Sequence, residues 1–405
     1  MTGPEPPRNC GVFIEIDYFQ KKKKGEAAAG DVFLAQKSQS GNRIIAALSD
    51  GLGSGVKANV LASLTVAMLS KFALMDIPPE RAAGLIVNSL PVCRDRGLAY
   101  AAFTLVDARQ DMRTRIIEYD NPPLLILRGS DPVRAAKEPL PIERKQKNTG
   151  PQNETLFLSS FQAQAGDRLV FFSDGVTQAG LGSPAAPGGW GMAGVQSHAA
   201  AALREDPLIS ASALARSIVL AAERAGADEP KDDISCAVMY FRKPRNLLVV
   251  TGPPFRPESD REFARFFAEF TGRKIISGGT SALIISRELG KTIAGGEAGR
   301  AGGLPPASKM DGADLVCEGV ITLGAAAEEL AQGGAAERGA ANPASRMAAL
   351  LLDSDSITFL VGTKINQAHQ DPNMPVELEI RRNVVKKIAS LLEEKYLKAT
   401  HIRYI

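Results

Sequence analysis

Four short segments place aspartates where predicted strands begin or end, and these acids are the residues most able to do chemistry. The segments are Gly30-Asp31, Asp50-Gly51, Asp174-Gly175 and Asp232-Asp233. A single Asp-Gly pair most simply marks a turn. The four segments together are harder to explain as separate turns, because glycine beside three of the acids permits backbone segments to approach one another closely. We therefore expect the acids to meet in one site.

The first two acids are predicted to face each other across a hairpin. Val32–Lys37 and Arg43–Ser49 are strand-like runs. If Ser40-Gly41 are the turn residues, the paired residue numbers sum to 81. Asp31 then lies opposite Asp50, and directly opposed residues have Cβ atoms about 4.5–5.5 Å apart. Two like charges at that distance destabilise the pair unless a cation neutralises them.

The available ligand types favour a hard divalent cation. Carboxylates without histidine or cysteine suit Mg²⁺ or Mn²⁺, and two such ions about 3.5–4 Å apart can activate a water for attack on phosphorus. Zinc sites and histidine-based triads are not favoured, because histidines and cysteines are few, scattered and never in a CxxC pair. These residues are His198, His369, His401, Cys10, Cys93, Cys236 and Cys317.

Composition excludes other classes of function. The chain has 405 residues, with 48 Lys+Arg against 45 Asp+Glu and a net charge of +3, so it lacks the electrostatic footprint of a nucleic-acid binder. No stretch approaches about 18 consecutive apolar residues, so no membrane span is expected. The Pro-rich polar N-terminus lacks the apolar region of a signal peptide. A cytoplasmic location is predicted.

Two other motifs have simpler interpretations. Gly51-Leu-Gly53-Ser-Gly55 approaches the dinucleotide-binding pattern, but Val56 stands in place of the third glycine and Asp50 would repel a pyrophosphate. No P-loop sequence occurs, so no nucleotide cofactor is predicted. The run Lys21–Lys24 is most simply a solvated loop, with anion contact as the alternative.

The element pattern of the first half indicates an α+β layered sandwich, because many short strands accompany a few grouped helices. The predicted helices are Ser54–Leu74, Pro78–Leu90 and Ala211–Ala225. The further predicted strands are Ala101–Asp107, Thr114–Tyr119, Leu124–Leu127, Leu156–Ser159, Arg168–Ser173 and Ile234–Phe241.

A domain boundary is predicted near Arg242-Lys-Pro-Arg245, which divides the chain into 1–243 and 244–405. The second part alternates strands and helices, as a smaller α/β domain does. Two Gly/Ala-rich stretches, Ala294–Ser308 and Gly324–Ala344, are expected to be flexible surface insertions. Gly278-Gly279-Thr280-Ser281 is most simply a turn and helix N-cap; binding of an anion by its N–H groups is the alternative.

The acidic segments also carry a family resemblance, which covers about residues 10–243. Gly30-Asp31-Val-Phe-Leu, Leu48-Ser-Asp50-Gly-Leu-Gly-Ser-Gly55, Gly166-Asp-Arg-Leu-Val-Phe-Phe-Ser-Asp174-Gly and Asp232-Asp233-Ile-Ser235 occur in the order found in the SpoIIE-type branch of the PPM (type 2C-like) metal-dependent protein phosphatases. Asn121-Pro-Pro resembles the family's His-Pro-Pro segment, with Asn in place of His. The resemblance implies a two-sheet β-sandwich flanked by helices.

The resemblance also implies roles for individual residues. Asp50 should bridge two Mn²⁺ or Mg²⁺ ions, and the Gly51 carbonyl should bind the first. Asp31, Asp174 and Asp232 should complete the second. Asp233 follows the ligand position, so a choice between the two adjacent acids stays open. The helices after Asp50-Gly51 resemble a regulatory switch element. The arginine with which some eukaryotic members hold the substrate phosphate has no match in this chain.

The expected function is therefore a metal-dependent phosphatase for phosphoserine or phosphothreonine in a protein substrate, acting through a water activated by two metal ions. By resemblance, the substrate is a phosphorylated bacterial regulator such as an anti-sigma-factor antagonist. The alternative is a catalytically weak signalling module whose C-terminal domain binds a ligand or partner. Regulation, ligand binding and formation of a homodimer all stay open for residues 244–405.

Overall fold

The computed structural model describes residues 12–38, 41–51, 53, 55–89, 101–144, 152–184, 186–226, 230–295, 304–333, 342–364 and 376–405. The chain divides into two compact units, Met1–Lys243 and Pro244–Ile405.

Unit 1 contains two antiparallel sheets. One has the order β1-β11-β10-β6-β7 and the other the order β2-β3-β4-β5-β9-β8. The strands are β1 (Phe13–Lys21), β2 (Val32–Lys37), β3 (Arg43–Gly51), β4 (Ala101–Arg109), β5 (Arg113–Tyr119), β6 (Leu125–Arg128), β7 (Asp131–Val133), β8 (Lys137–Arg144), β9 (Gln152–Gln162), β10 (Asp167–Phe172) and β11 (Ile234–Arg242). The helices are α1 (Gly55–Leu74), α2 (Pro79–Ser89), α3 (Asp174–Thr177), α4 (Gly191–Glu205) and α5 (Ala211–Ala225).

The two sheets pack face to face and are covered by helices on both outer surfaces. Leu48, Phe171 and Met239 belong to the apolar layer between the sheets. Helices α1 and α2 cover the outer face of the six-stranded sheet, and α3, α4 and α5 cover the outer face of the other. The predicted α+β sandwich flanked by helices is confirmed.

The hairpin register is confirmed. Val32 pairs with Ser49 and Lys37 pairs with Ile44, so paired residue numbers sum to 81 throughout the ladder. Asp31 therefore lies one residue beyond the last pair, on the side where β3 continues to Asp50. The predicted turn residue Ser40 lies outside the described residues.

Helix α1 turns a face of small residues to the sheet. Ala58, Ala62 and Val66 are buried, whereas Val56 and Val60 are 64% and 59% exposed. Small side chains let the helix backbone approach β3 closely. By length and composition alone α1 could cross a membrane, and it is the one such helix found in the described part of the chain. Its small-residue face instead packs against the sheet.

Unit 2 is a smaller α/β domain. Its main sheet is entirely parallel and has the order β16-β13-β12-β17-β18. The strands are β12 (Asn246–Thr251), β13 (Arg273–Ser277), β14 (Ile293–Ala294), β15 (Lys309–Met310), β16 (Leu315–Cys317), β17 (Ser356–Val361) and β18 (Ala399–Tyr404). The helices are α6 (Asp260–Glu269), α7 (Gly279–Leu289), α8 (Val320–Gln332), α9 (Pro343–Leu352) and α10 (Val376–Glu394). Helices α6 and α7 pack on one face, and α8, α9 and α10 on the other.

The expected flexible insertion Gly324–Ala344 is wrong for its first part, Gly324–Gln332, which is helical; residues 334–341 lie outside the described ranges. Helix α8 runs through it to Gln332, with Ala326, Ala327 and Leu330 fully or almost fully buried. Alanine is the strongest helix former, and its small side chain packs closely against a sheet, so the composition marks a helix. The other stretch lies partly outside the described residues; its ends, Ala294 and Ser308, adjoin a small two-stranded sheet.

Replacing Leu330 with Ala is expected to lower the free energy of unfolding of unit 2 by about 2–5 kcal/mol, because it opens a cavity in the apolar core. Glu328→Ala on the same helix removes an exposed side chain and should change stability by no more than about 0.5 kcal/mol. Urea denaturation of the full chain measures both. Equal stability of the two variants would agree with a surface insertion and contradict a core helix.

Candidate metal centre

Strand ends bring the predicted acids to one end of the sandwich. The β2–β3 hairpin carries Asp31 and Asp50, Asp174 directly follows β10 as the first residue of α3, and Asp232-Asp233 precedes β11. Because β10 and β11 are antiparallel neighbours, the end of one adjoins the start of the other. The Ser173 N–H donates to the Ser235 carbonyl there.

Hydrogen bonds join the ends of the two sheets at Asp31. The Ser235 hydroxyl donates to Asp31 Oδ2 at 2.6 Å. Gln20 Nε2 donates to the Asp31 carbonyl at 3.1 Å and to Ser235 Oγ at 2.9 Å. Asp31 is 3% exposed, so its carboxylate is held in place by partners rather than by water.

The carboxylates repel one another strongly. Burial, followed by the charges of Asp31, Asp174 and Asp232, raises the pKa of Asp50 to about 10. Burial also raises the pKa of Asp31 to about 7, with Asp233 and Asp232 adding to the rise. Both shifts have the physical cause expected of acids gathered without a counter-charge. A divalent cation among them would reverse the balance and favour the ionised forms.

The adjacent acids Asp232 and Asp233 have different environments. Asp233 is 3% exposed; its Oδ1 accepts the Lys23 N–H at 2.8 Å and its Oδ2 accepts the Gly30 N–H at 2.5 Å. Asp232 is exposed, and its Oδ1 accepts the neighbouring Asp233 N–H at 2.9 Å. Both oxygens of Asp233 therefore hold the segment that leads into Asp31. The hydrogen bond to Asp232 engages its Oδ1.

Asp174 has one carboxylate oxygen that fits an additional ligand. Its Oδ2 accepts a hydrogen bond from Gln178 Nε2 at 2.8 Å. Its Oδ1 is buried and has no hydrogen-bond partner, and a buried acceptor of this kind is costly unless an ion or water satisfies it. The donor set fits a hard cation. Across the described ranges, however, no three acidic, histidine or cysteine side chains are already grouped tightly enough to hold one.

The two Asp-Gly pairs require glycine because other backbone segments pass close by. A Cβ on Gly51 would overlap the carbonyl oxygen of Ala58 in α1, and a Cβ on Gly175 would overlap the carbonyl oxygen of Asp233. The Gly51 carbonyl oxygen itself lies 3.5 Å from the position a Gly30 Cβ would occupy. Glycine therefore lets the segments bearing the acids meet at a short distance.

The lysine run is only partly a solvated loop. Lys21 is the last residue of β1 and lies 3.4 Å from Glu223, whereas Lys22 is exposed. Lys23 lies near the acids: partial desolvation of the Asp232 carboxyl raises its pKa, and the Lys23 charge opposes that rise. The run thus supplies a cation beside the centre.

Sequence reasoning missed several residues around the centre. Ser173 and Ser235 hydrogen bond within it, and Ser235 could have been noted from its place after the Asp-Asp pair. Asp120 also belongs to its surroundings, because burial and the charges of Glu154 and Asp174 raise its pKa. Its only signal was its position before Asn-Pro-Pro. Asn121 donates to Thr104 Oγ1 at 3.2 Å, and its Oδ1 is buried with no partner.

Two facing antiparallel sheets, helices outside both, and acids at one end define the architecture of the PPM-type phosphatases. Residues 40–242, half of the chain, match the family model described as Stage II sporulation protein E (SpoIIE). The chain belongs to this family, and the resemblance inferred from the acidic motifs is confirmed.

Individual relatives are more distant. Stage II sporulation protein E of Bacillus subtilis (strain 168) is 28% identical over 156 residues, which is 38% of this chain and 18% of that protein. The chain thus matches less than a fifth of the length of this curated relative.

Two solved structures are also similar. The PP2C phosphatase domain of SpoIIE from Bacillus subtilis, solved with a fragment of its regulatory domain, is 19% identical, with a TM-score of 0.45 over 57% of this chain and 64% of that one. RsbX in complex with magnesium is 17% identical, with a TM-score of 0.38 over 56% of this chain and 95% of that one.

Replacing Asp233 with Asn is expected to lower the free energy of unfolding by about 1–3 kcal/mol, because an amide keeps one acceptor oxygen and turns a donor toward a backbone N–H. Asp232→Asn is the matched control, since its side chain is exposed and its removal relieves repulsion. Urea denaturation in the presence of a chelator measures both without a contribution from bound metal. If Asp232→Asn were the more destabilising change, the hydrogen bonds of Asp233 to Lys23 and Gly30 would not be what stabilises this segment.

Proposed function

We propose that this chain is a metal-dependent protein phosphatase that hydrolyses phosphoserine or phosphothreonine in a protein substrate. The observation that carries the proposal is the position of the half-buried Asp50 beside Asp31, Asp174 and Asp232, whose charges act on it at one end of a PPM-type sandwich. Four acids in such mutual repulsion are costly to the fold. A centre for cations explains why they are kept together.

Each acid has a distinct part in this proposal. Asp50 would bridge two Mn²⁺ or Mg²⁺ ions, with the Gly51 carbonyl as a further ligand of the first. Asp31, Asp174 and Asp232 would hold the second ion. The choice between the adjacent acids falls on Asp232, because both oxygens of Asp233 already accept backbone N–H groups.

When bound, the two ions supply an activated water and neutralise charge on the phosphoryl group. The chain's own residues hold the ligands in position. Ser235 orients Asp31 through its hydroxyl, and Gln178 fixes Asp174 so that its second oxygen stays available. Lys23 adds a positive charge beside Asp232. There its ammonium group can bind an oxygen of the substrate phosphate and hold the negatively charged phosphate close to the centre.

Purified protein is expected to hydrolyse p-nitrophenyl phosphate when Mn²⁺ is added. Asp50→Asn and Asp174→Asn should each reduce the rate by more than about 100-fold, the loss typical of removing one electrostatic stabiliser of a transition state. Asp131→Asn, which changes an exposed acid on β7, is the matched control and should retain full activity. Equal rates in all four proteins would refute the proposal.

Calorimetry with Mn²⁺ separates this proposal from the alternative of a catalytically weak signalling module. Wild-type protein should bind Mn²⁺ and Asp50→Asn should bind it far more weakly, since the bridging ligand is lost. A folded wild-type chain that binds no Mn²⁺ would favour the signalling module.

Lys23→Ala is expected to lower kcat/KM for a phosphopeptide by about tenfold, which corresponds to the loss of one hydrogen bond to a charged group. Lys22→Ala removes an exposed lysine from the same run and should leave kcat/KM unchanged. Steady-state assays at saturating Mn²⁺ compare the two. An equal effect of both changes would show that Lys23 acts only through the overall charge of the run.

The family membership also supports a role in bacterial signalling in the cytoplasm. The proposed substrate is a phosphorylated regulator such as an anti-sigma-factor antagonist. An Asp50→Asn protein used as a trap in a phosphoprotein pull-down, with Asp131→Asn as the comparison, tests this assignment directly. Enrichment of the same phosphoproteins by both variants would argue against specific capture at the centre.

A further inference from the structure

Two helix N-termini converge at one edge of the parallel sheet of unit 2. Strands β13 and β16 are parallel neighbours, and each leads through a glycine into a long helix. Gly278 is the N-cap of α7 and Gly319 is the N-cap of α8. A Cβ on Gly319 would lie 3.7 Å from the Gly278 Cα, so the two caps are close neighbours.

Among the described residues, no side chain caps either of these helix ends. Both N-caps are glycine, no side chain accepts a hydrogen bond from the first turn, and the first turns contain no acid. The first N–H groups of a helix have no partner within it, and each end carries the positive pole of a helix dipole. Two adjacent positive poles repel each other unless an anion lies between them.

A buried hydroxyl lies at the same place. Ser281, in the first turn of α7, is fully buried, and its Oγ has no hydrogen-bond partner. This oxygen lies 3.7 Å from the position of a Gly278 Cβ, which directs it toward the glycine turn. It is not part of a capping box, because the Gly278 N–H donates to the Cys317 carbonyl at 2.8 Å. Thr251, on the neighbouring strand β12, has a second buried hydroxyl without a partner.

The two turns are held together before any ligand binds. The Ser277 hydroxyl lies 3.1 Å from the Glu318 carbonyl and 3.3 Å from the Gly319 carbonyl, which ties the end of β13 to the turn after β16. Apolar side chains of both helices are buried in the core, including Ile285 of α7 and Leu323 of α8. A preformed set of donors loses little freedom on binding.

We propose that this glycine turn binds a phosphoryl dianion, either free phosphate or the phosphate group of a small phosphomonoester. A tetrahedral group has enough oxygens to accept from both helix ends and from the Ser281 hydroxyl. Gly279 is exposed, and in the described part of the chain no atom from outside its own helix turn lies within 4 Å of the position of its Cβ, so the remainder of an ester would extend into water. Two charged residues, Glu318 and Arg346, act on the adjoining Cys317; both are exposed.

The space at Gly279 provides a sharp test. Gly279→Asp places a carboxylate at the first position of α7, where it stabilises the helix and competes with an external anion. Gly279→Ala adds a side chain at the same position without charge. Calorimetry with inorganic phosphate is carried out on the full chain in the presence of a chelator, so that metal at the acidic centre does not bind phosphate. Methylphosphonate, which cannot be hydrolysed, is titrated in parallel.

Wild-type and Gly279→Ala proteins should bind phosphate with affinities within about twofold of each other, and Gly279→Asp should bind at least about tenfold more weakly. Ser281→Ala, which removes only the hydroxyl, should also weaken binding. Binding of methylphosphonate as tightly as phosphate would show that the site accepts a phosphoryl group carrying a substituent, as an ester requires, whereas binding of phosphate alone would assign the site to the free ion. No saturable binding to wild type, or equal binding to Gly279→Asp, would overturn the proposal.

The Gly279→Asp variant should keep the Mn²⁺-dependent hydrolysis of p-nitrophenyl phosphate, because Gly279 belongs to unit 2 and is remote in sequence from the acidic segments. The two proposals therefore fail separately. If Gly279→Asp loses phosphate binding but keeps hydrolysis, the result bears on the glycine turn alone. If neither wild type nor any variant hydrolyses p-nitrophenyl phosphate, the proposal of a metal centre fails and the glycine turn is unaffected.

Discussion

The structure of unit 1 has to hold five like charges together at one end of the sandwich, where Asp31 and Asp233 are buried. Asp31 and Asp50 come from one sheet, and Asp174, Asp232 and Asp233 from strand ends of the other. Burial and mutual repulsion raise the pKa of Asp31 and of Asp50. Internal donors offset part of this cost: two backbone N–H groups donate hydrogen bonds to Asp233, and the Ser235 hydroxyl donates to Asp31. The remaining repulsion is what a divalent cation would remove.

The same constraint explains the surrounding packing. Gly51 and Gly175 allow α1 and the segment before β11 to approach the acids closely, and α1 presents small residues to β3 for the same reason. In unit 2 the charges that lie together are positive instead of negative. There, two helix ends bring positive poles together beside buried hydroxyls, where an anion would be stabilised. By our two proposals, unit 1 receives cations and unit 2 an anion.

Much of the fold follows from local patterns. Period-two alternation and turn residues predicted most strands of unit 1 and the register of the β2–β3 hairpin, because a one-residue slip would turn every buried side chain outward. Strand β1 was not predicted, since its mixed burial gives a weak pattern. The second half of helix α8, Gly324–Gln332, was mistaken for an insertion because it is rich in alanine, a composition it shares with linkers; only the sheet on which it packs distinguishes the two.

The sequence by itself determined the set of acids, their places at strand ends and the family to which the chain belongs, because these depend on residue type and short-range order. Tertiary structure decided what each acid does. Asp233 meets Gly30 across 203 residues of chain, and only that contact separates a structural clamp from its neighbour Asp232. The convergence of Gly278 and Gly319 likewise arises from strand order in a parallel sheet. Contacts between distant segments, which no local pattern encodes, fix which polar atoms are satisfied and which are left for a ligand.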